Sequence, residues 1–321
     1  MASPLVQELC RTLRLPVIGS PMFILSQPEL VLAQCTSGIM GAFPALNARP
    51  AQELDNWLNT LEQGLAAWRS AHPGRPVAPY AVNQIIHPSN ERLEHDMQTC
   101  ARHRVPFVIT SLRAPQQVVG AIHGWGGRVL HDVTTVRHAE KALEAGVDGL
   151  ILVCAGAGGH AGTLSPFALV EEIRRFYDGP LVLAGAIGTG RGILAAQALG
   201  ADLVYMGTRF IAAEESHAAP AYKQMVVQAR AADIVYTPSF TGIPGNYLRP
   251  SIQAAGLDPD ELPAPGPAGA VFGSGRSKAW RDIWGAGQGV GHTGAIEPVS
   301  AIVDRLEQEY LAARHALAGG C

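Results

Sequence analysis

The chain has 321 residues, 47% hydrophobic and 16% charged, with a formal net charge of −3. So little charge with so much apolar material excludes a disordered chain, and the lack of a basic excess argues against a nucleic-acid partner. The length holds one large domain, or one domain with a smaller insert.

In chain order, a short apolar strand is expected over 15–18, ending in the turn-rich Gly19-Ser20-Pro21-Met22-Phe23. A helix over 27–36 leads to a second strand over 38–44. The next helix opens at 47–50 and runs to about 69, with Leu54, Leu58, Leu61 and Leu65 at helical spacing. A third strand over 77–83 ends at the polar Asn83, and Ser89-Asn90-Glu91 caps a helix to about 103. The fourth strand, 106–110, again ends polar and precedes a helix over 114–122. A fifth strand over 128–133 is followed by a helix over 135–145 that Gly146 closes. The sixth strand, 149–153, leads through a glycine-rich loop to a helix start at 166–173. A seventh strand over 180–184, a helix over 191–199 closed by Gly200, and an eighth strand over 203–206 complete the series.

Eight strand–helix units in roughly 210 residues are what a (β/α)8 TIM barrel requires. The strands read as continuous apolar runs, as strands buried on both faces do. The fold class is therefore α/β, a barrel with a small inserted second domain or lid. The barrel is assigned to 1–212 plus 280–321 and the insert to 213–279. Within that later part, 212–232 reads as helical, 237–247 as irregular and 262–275 as rich in Pro and Gly. A further glycine loop lies at 284–289, and 297–317 is a closing amphipathic helix.

The chemistry is expected around Cys154-Ala155-Gly156-Ala157-Gly158-Gly159-His160-Ala161-Gly162. Glycine admits positive φ and close approach of a ligand, and loops at the carboxyl ends of parallel strands carry the chemistry of α/β folds. His160 is the candidate catalytic group. Cys154 could touch a ligand, although a Cys at a strand end more often fills the core. Two further glycine loops, Gly185-Ala186-Ile187-Gly188 and Gly207-Thr208, follow adjacent strands at the barrel's usual phosphate corner. Backbone N–H groups at a helix N-terminus, with a Thr hydroxyl, can bind a dianion without lysine. The string 188–192 is neither a dinucleotide GxGxxG nor a P-loop. A phosphate there, His160 after the sixth strand, and the polar strand ends Asn83 and Thr110 or Ser111 can share one mouth. A flat phosphorylated cofactor such as FMN fits that layout.

The five cysteines, Cys10, Cys35, Cys100, Cys154 and Cys321, are odd in number and form no CxxC pair, which suits a reduced, cytoplasmic setting. The N-terminal stretch lacks a signal-peptide pattern, and no apolar run approaches the ~20 residues of a membrane span. The remaining histidines show no HxH or HExxH spacing, so no metal site is expected. His131 reads as a core histidine. Tyr236, Phe240 and Tyr247 either line a substrate entrance or form the insert's own core.

Residues 16–22 (PVIGSPM), Ala81-Val82-Asn83, the AGGHAG string of 157–162, Gly200-Ala201-Asp202, Met206-Gly207-Thr208-Arg209-Phe210 and Ala286-Gly287-Gln288-Gly289 resemble the nitronate monooxygenase (2-nitropropane dioxygenase) family across almost the whole chain. Relatives on the same fold include NADH:quinone reductases and an FMN-dependent enoyl-acyl-carrier-protein reductase. The resemblance implies an FMN-dependent oxidoreductase acting on alkyl nitronates with O2. It implies that the backbone of Pro21, Met22 and Phe23 faces the flavin ring, with Asn83, Gly158 and Gly159 beside it. Ala184, Gly185, Ala186, Gly207 and Thr208 would hold the phosphate, and His160 would take the α-proton of a nitroalkane or polarise the substrate. An alternative is an NAD(P)H-dependent quinone or enoyl-thioester reductase. A third, non-redox reading is a barrel that binds a phosphorylated metabolite.

Two positions depart from the family. Relatives often carry Gly-Gly where this chain has Gly185-Ala186, and an alanine N–H serves a phosphate if its φ stays negative. Some relatives carry Lys or Gln where this chain has Asp132. A cation there would stabilise a reduced anionic flavin and a carboxylate would oppose it, so Asp132 either contacts the flavin, pairs with another residue, or is a structural strand-end acid.

Overall fold

The computed structural model describes residues 3–262 and 283–319. Eight strands form one parallel sheet: β1 (Val17–Gly19), β2 (Gly41–Pro44), β3 (Tyr80–Ile86), β4 (Phe107–Leu112), β5 (Arg128–Val133), β6 (Gly149–Val153), β8 (Leu181–Ala184) and β9 (Leu203–Met206). The intervening β7 (Gly159–His160) belongs to a second, three-stranded sheet. The large sheet runs β1-β9-β8-β6-β5-β4-β3-β2. A parallel bridge between Ile18 and Met40 joins its two ends, with Met40 N–H donating to Val17 O (3.1 Å). The sheet is thus a closed (β/α)8 barrel.

The sidedness of each strand follows from its period of two. Ile18, Met40, Ala42, Ala81, Ile109, Leu130, Ile151, Val182 and Tyr205 point inward and pack on one another. The alternate residues Val17, Phe43, Val82, Val108, Val129, Leu150, Leu183 and Val204 point outward, into the layer beneath the helices. Continuing the inward parity by one step toward the carboxyl ends reaches Asn83, Ser111, Asp132 and Val153.

The outer layer comprises α2 (Pro28–Thr36), α3 (Glu53–Ala71), α4 (Leu93–Arg102), α5 (Gln116–Gly124), α6 (Val136–Glu144), α7 (Pro166–Arg174), α8 (Gly190–Leu199) and, after the excursion, α12 (Val299–Ala318). α12 is the barrel's eighth helix, packed between α8 and α2. Gly190 permits that contact, because a Cβ there would lie 2.2 Å from the Leu306 carbonyl oxygen. An additional helix, α1 (Pro4–Thr12), precedes β1 and buries Val6 and Leu9.

Between β9 and α12 the chain forms α9 (Thr208–Ile211), α10 (Pro220–Gln228), β10 (Ile234–Thr237), β11 (Gly245–Leu248) and α11 (Arg249–Ala254). The single helix expected over 212–232 is therefore shorter. Pro220 lacks an N–H and sits in the first turn, where none is needed, and the residue before it, Ala219, is held out of the helical region (ψ 145°). The stretch 237–247, expected to be irregular, contributes to two strands. The Pro/Gly-rich expectation over 263–275 and the start of the segment at 280 lie outside the described residues.

Candidate active site

The carboxyl ends of the barrel strands open into a cavity of about 840 Å³, within the range of roughly 300–1,000 Å³ usual for small-molecule and cofactor sites. All thirteen sequence-derived site residues line it: Pro21, Met22, Phe23, Asn83, Asp132, Gly158, Gly159, His160, Ala184, Gly185, Ala186, Gly207 and Thr208.

The floor is polar. Asn83 Nδ2 donates to Ile109 O (3.1 Å) and to Ser111 Oγ (2.8 Å), which leaves its amide oxygen for a ligand. Ser111 in turn donates to Asp132 Oδ2 (2.6 Å). Asp132 Oδ1 is shielded and has no partner, and burial pushes this carboxyl up to about 7 against the single opposing hydrogen bond from Ser111. Parity settles which polar residue at the end of β4 belongs to the site. Ser111 faces inward, whereas Thr110 faces the helices and bonds the His131 ring (2.8 Å). His131 is thus a satisfied core histidine, its pKa driven down to about 4 by burial.

His160 sits in β7, which is a strand by virtue of its pairing with β11. β11 runs antiparallel to β7, with Gly245 opposite His160 and Asn246 opposite Gly159, and β10 pairs antiparallel with β11. Asn246 Nδ2 donates to Ala157 O (2.6 Å) and the Tyr236 hydroxyl to Ala161 O (2.9 Å). The histidine loop is therefore stapled on both sides by residues some 80 positions later. His160 Nε2 lies 3.1 Å from Thr241 Oγ1, and that hydroxyl donates its one hydrogen to Ile243 O (3.0 Å). The contact ties the imidazole to the loop between β10 and β11. Burial lowers the imidazole to about 4, so it is neutral at physiological pH. Tyr236 and Phe240 line the cavity. Tyr247 does not, being fully buried with Phe240 edge-on against it (4.8 Å between centroids).

The glycine corner corrects two sequence expectations. Ala186 has φ +53° rather than a negative value, and its N–H donates to Gly156 O (3.3 Å), so it is not offered to an anion. The N-terminus of α8 also faces away from the cavity. Its first N–H, Gly190, donates to Glu309 of α12 (2.8 Å), and Thr189 caps Gly192 N–H (3.0 Å). On the opposite wall the loop carrying Met22 is fixed by hydrogen bonds, its N–H donating to Ser26 Oγ (2.9 Å) and its carbonyl accepting from Asn47 Nδ2 (3.0 Å). What remains at the corner is Gly185 at φ +145°, Gly207, and Thr208 at the start of α9. The loop 286–289 closes over it, Gly287 N–H donating to Thr208 Oγ1 (2.8 Å). A Cβ on Gly287 would lie 2.6 Å from Gly156 O and 2.8 Å from Gly158 N.

The sequence reading missed Tyr205, Thr241, His138 and Arg49, all of which line the cavity. Tyr205 was recoverable from inward parity. Arg49 follows β2 and lies 5.4 Å above the Phe23 ring; only the fold brings it to the rim. Cys154 is core, outside the cavity lining, with burial pushing its thiol up to about 12. No group of three or more His, Cys, Asp or Glu able to hold a metal exists among the described residues.

The family model described as "Nitronate monooxygenase" matches residues 76–252. A nitronate monooxygenase from Paraburkholderia phytofirmans is 26% identical over 336 aligned positions, covering 92% of each chain. Among solved structures, a nitroalkane oxidase from Streptomyces ansochromogenes superposes with a TM-score of 0.79 at 25% identity, covering 96% of this chain and 99% of that one. FabK from Thermotoga maritima superposes at 0.77 with 25% identity over 99% of both chains.

Proposed function

This chain belongs to the nitronate monooxygenase family, and we propose that it is an FMN-dependent oxidoreductase that oxidises alkyl nitronates with O2. The observation that carries the reading is convergence: a polar floor, a side-chain-free corner and a neutral histidine all open on one cavity. The residues fit the cofactor. Gly156, Gly158, Gly159, Gly185 and Gly207 line the wall with backbone alone, and Asn83 keeps its amide oxygen for a ligand on the floor. Gly185, Gly207 and Thr208 would hold the phosphate, and Asn83, Asp132, Gly158 and Gly159 would contact the ring. Bound FMN would supply the electron acceptor for the substrate and the site of reaction with O2.

The chain's own residues do the rest. His160 is neutral across the working range, and an imidazole lowered to about 4 is a weak base. A preformed nitronate needs no proton removed, so this environment suits an anionic nitronate that His160 orients. Proton abstraction from a neutral nitroalkane is the slower reaction. Arg49 at the rim attracts the anion. Tyr236, Phe240 and Thr241, from the described part of the proposed lid 213–279, complete the wall. Cys10, Cys35, Cys100 and Cys154 are free thiols, and no helix among the described residues is long and apolar enough to cross a membrane; we place the protein in the cytoplasm. The similarity to FabK supports a second reading, NAD(P)H-dependent reduction of a quinone or enoyl thioester.

The test is direct. The purified protein should be yellow, release FMN on denaturation, and consume O2 with ethyl nitronate. A colourless protein that FMN cannot reconstitute would defeat both redox readings in favour of a barrel that binds a phosphorylated metabolite.

A further inference from the structure

We infer that Thr241 is the positioning residue for His160: its hydroxyl, carried on the inserted segment, sets the rotation of the imidazole and so which edge of the ring the substrate meets. The inference rests on the nitronate-oxidising reading above. Both side chains line the same cavity, and Thr241 Oγ1 lies 3.1 Å from His160 Nε2. Pairing with β11 fixes the backbone of β7, with Gly245 opposite His160, and thereby fixes where the Cβ of His160 sits. Backbone pairing does not by itself choose the rotation of the ring, because the torsion about the bond to an imidazole is broad and roughly two-fold. A hydrogen bond at a ring nitrogen does choose it.

Thr241 is itself held in place. Its Oγ1 bonds the Ile243 carbonyl within the same turn (3.0 Å). Gly242 N–H donates to Pro238 O (2.8 Å), and Gly242 takes φ +76°, which glycine adopts without strain. Just before Thr241, Phe240 packs edge-on against the fully buried Tyr247 of β11 (4.8 Å between centroids). The strands on either side, β10 and β11, pair from Ile234–Leu248 to Thr237–Gly245. The Tyr236 hydroxyl, donating to Ala161 O (2.9 Å), ties the same hairpin to the residue next to His160.

The barrel thus supplies the histidine and the insert supplies its orientation. Thr241 acts through the imidazole, not on the reacting atoms. Orientation is worth a large factor, since a misplacement of about 1 Å can cost 10²-fold in rate. Valine at this position keeps the branched shape of threonine and removes the bond. Serine keeps the hydroxyl and loses only a methyl group.

Two measurements on the purified, FMN-loaded protein test this. Thr241→Val should lower kcat/KM for ethyl nitronate by about ten- to hundredfold, chiefly through kcat and with flavin retained, and Thr241→Ser should restore most of the loss. In a His160→Asn background the same valine substitution should cost nearly nothing further, because a group that acts through the imidazole has nothing left to act on. Thr241→Ala, which also lacks the hydroxyl, takes the place of the valine variant if that one does not fold. Nitrogen-15 spectra of histidine-labelled protein give a readout that needs no turnover. The His160 Nε2 resonance, identified by its absence in His160→Asn, should shift in Thr241→Val and return in Thr241→Ser. Equal losses in the two backgrounds, a serine variant no better than valine, activity lost together with flavin, or an unmoved Nε2 resonance would each overturn the proposal. If the wild type oxidises no nitronate, the functional reading falls on its own, while the nitrogen spectra still decide whether Thr241 holds the ring.

Discussion

At the ends of β3, β4 and β5 the cavity is built from side chains; at the ends of β6, β8 and β9 it is built from backbone. Asn83, Ser111 and Asp132 form a directed hydrogen-bond chain in which each group is replaceable by another polar group of similar size. The corner has no such slack: a Cβ on Gly158 would lie 2.9 Å from Gly287 N, one on Gly287 2.6 Å from Gly156 O, and one on Gly289 3.0 Å from the Ala186 main chain. On the proposed function, the first region would tune the chemistry and the second would decide whether the cofactor and the loop 286–289 are accommodated.

The sharpest way to break this contrast is Gly287→Ala. Its Cβ would meet backbone at 2.6 and 2.8 Å, and overpacking of this kind costs about 1–3 kcal/mol. The variant should lose several degrees in Tm and fail to retain flavin on purification. Gly120→Ala, exposed in α5 with nothing within 4 Å of the new Cβ, should leave flavin retention unchanged and raise Tm slightly, by the helix preference of alanine.

Next in size is His160→Asn, which should keep FMN bound. If the imidazole removes a proton, turnover of a neutral nitroalkane falls by roughly 10²–10⁴ while a preformed nitronate loses far less. Equal losses on the two substrates would assign His160 to orientation alone. In the wild type, the acid limb of kcat/KM for a nitronate should sit near pH 4, where burial has moved this imidazole, rather than near 6.5.

Asp132 makes a thermodynamic prediction. Its carboxyl is raised from 3.8 to about 7, so between those values the folded state keeps a proton that the unfolded state has released. Stability then falls as pH rises through that window. Asp132→Asn removes the dependence, so its Tm advantage over the wild type should be larger at pH 8 than at pH 5. The smallest effect is expected at Ala186. Its φ of +53° is strained by roughly 1–2 kcal/mol relative to glycine, and its N–H already serves Gly156. Ala186→Gly should raise Tm slightly with little change in FMN affinity.

The barrel was legible in the sequence because its signals are local: continuous apolar strands, helical leucine spacing and closing glycines such as Gly146 and Gly200 mark each unit within about 25 residues. The site residues could be named because they cluster at strand ends. Their hydrogen bonding could not, since it depends on distant partners. Nothing near Gly190 announces that Glu309 takes its N–H, and nothing near His160 announces pairing with Gly245. The φ of Ala186 was equally hidden, being set by packing against Gly156 and Gly289. β11 escaped notice because Gly245-Asn246-Tyr247-Leu248 is short and glycine-led, and becomes a strand only by pairing.

The measurement that bears most directly on the function is anaerobic mixing of the FMN-loaded protein with ethyl nitronate and, separately, with NADH and NADPH, followed by flavin absorbance. The account predicts rapid bleaching by the nitronate and no fast bleaching by either nicotinamide. Fast bleaching by NADH or NADPH, with the nitronate inert, would contradict it and assign the cavity to a reductase.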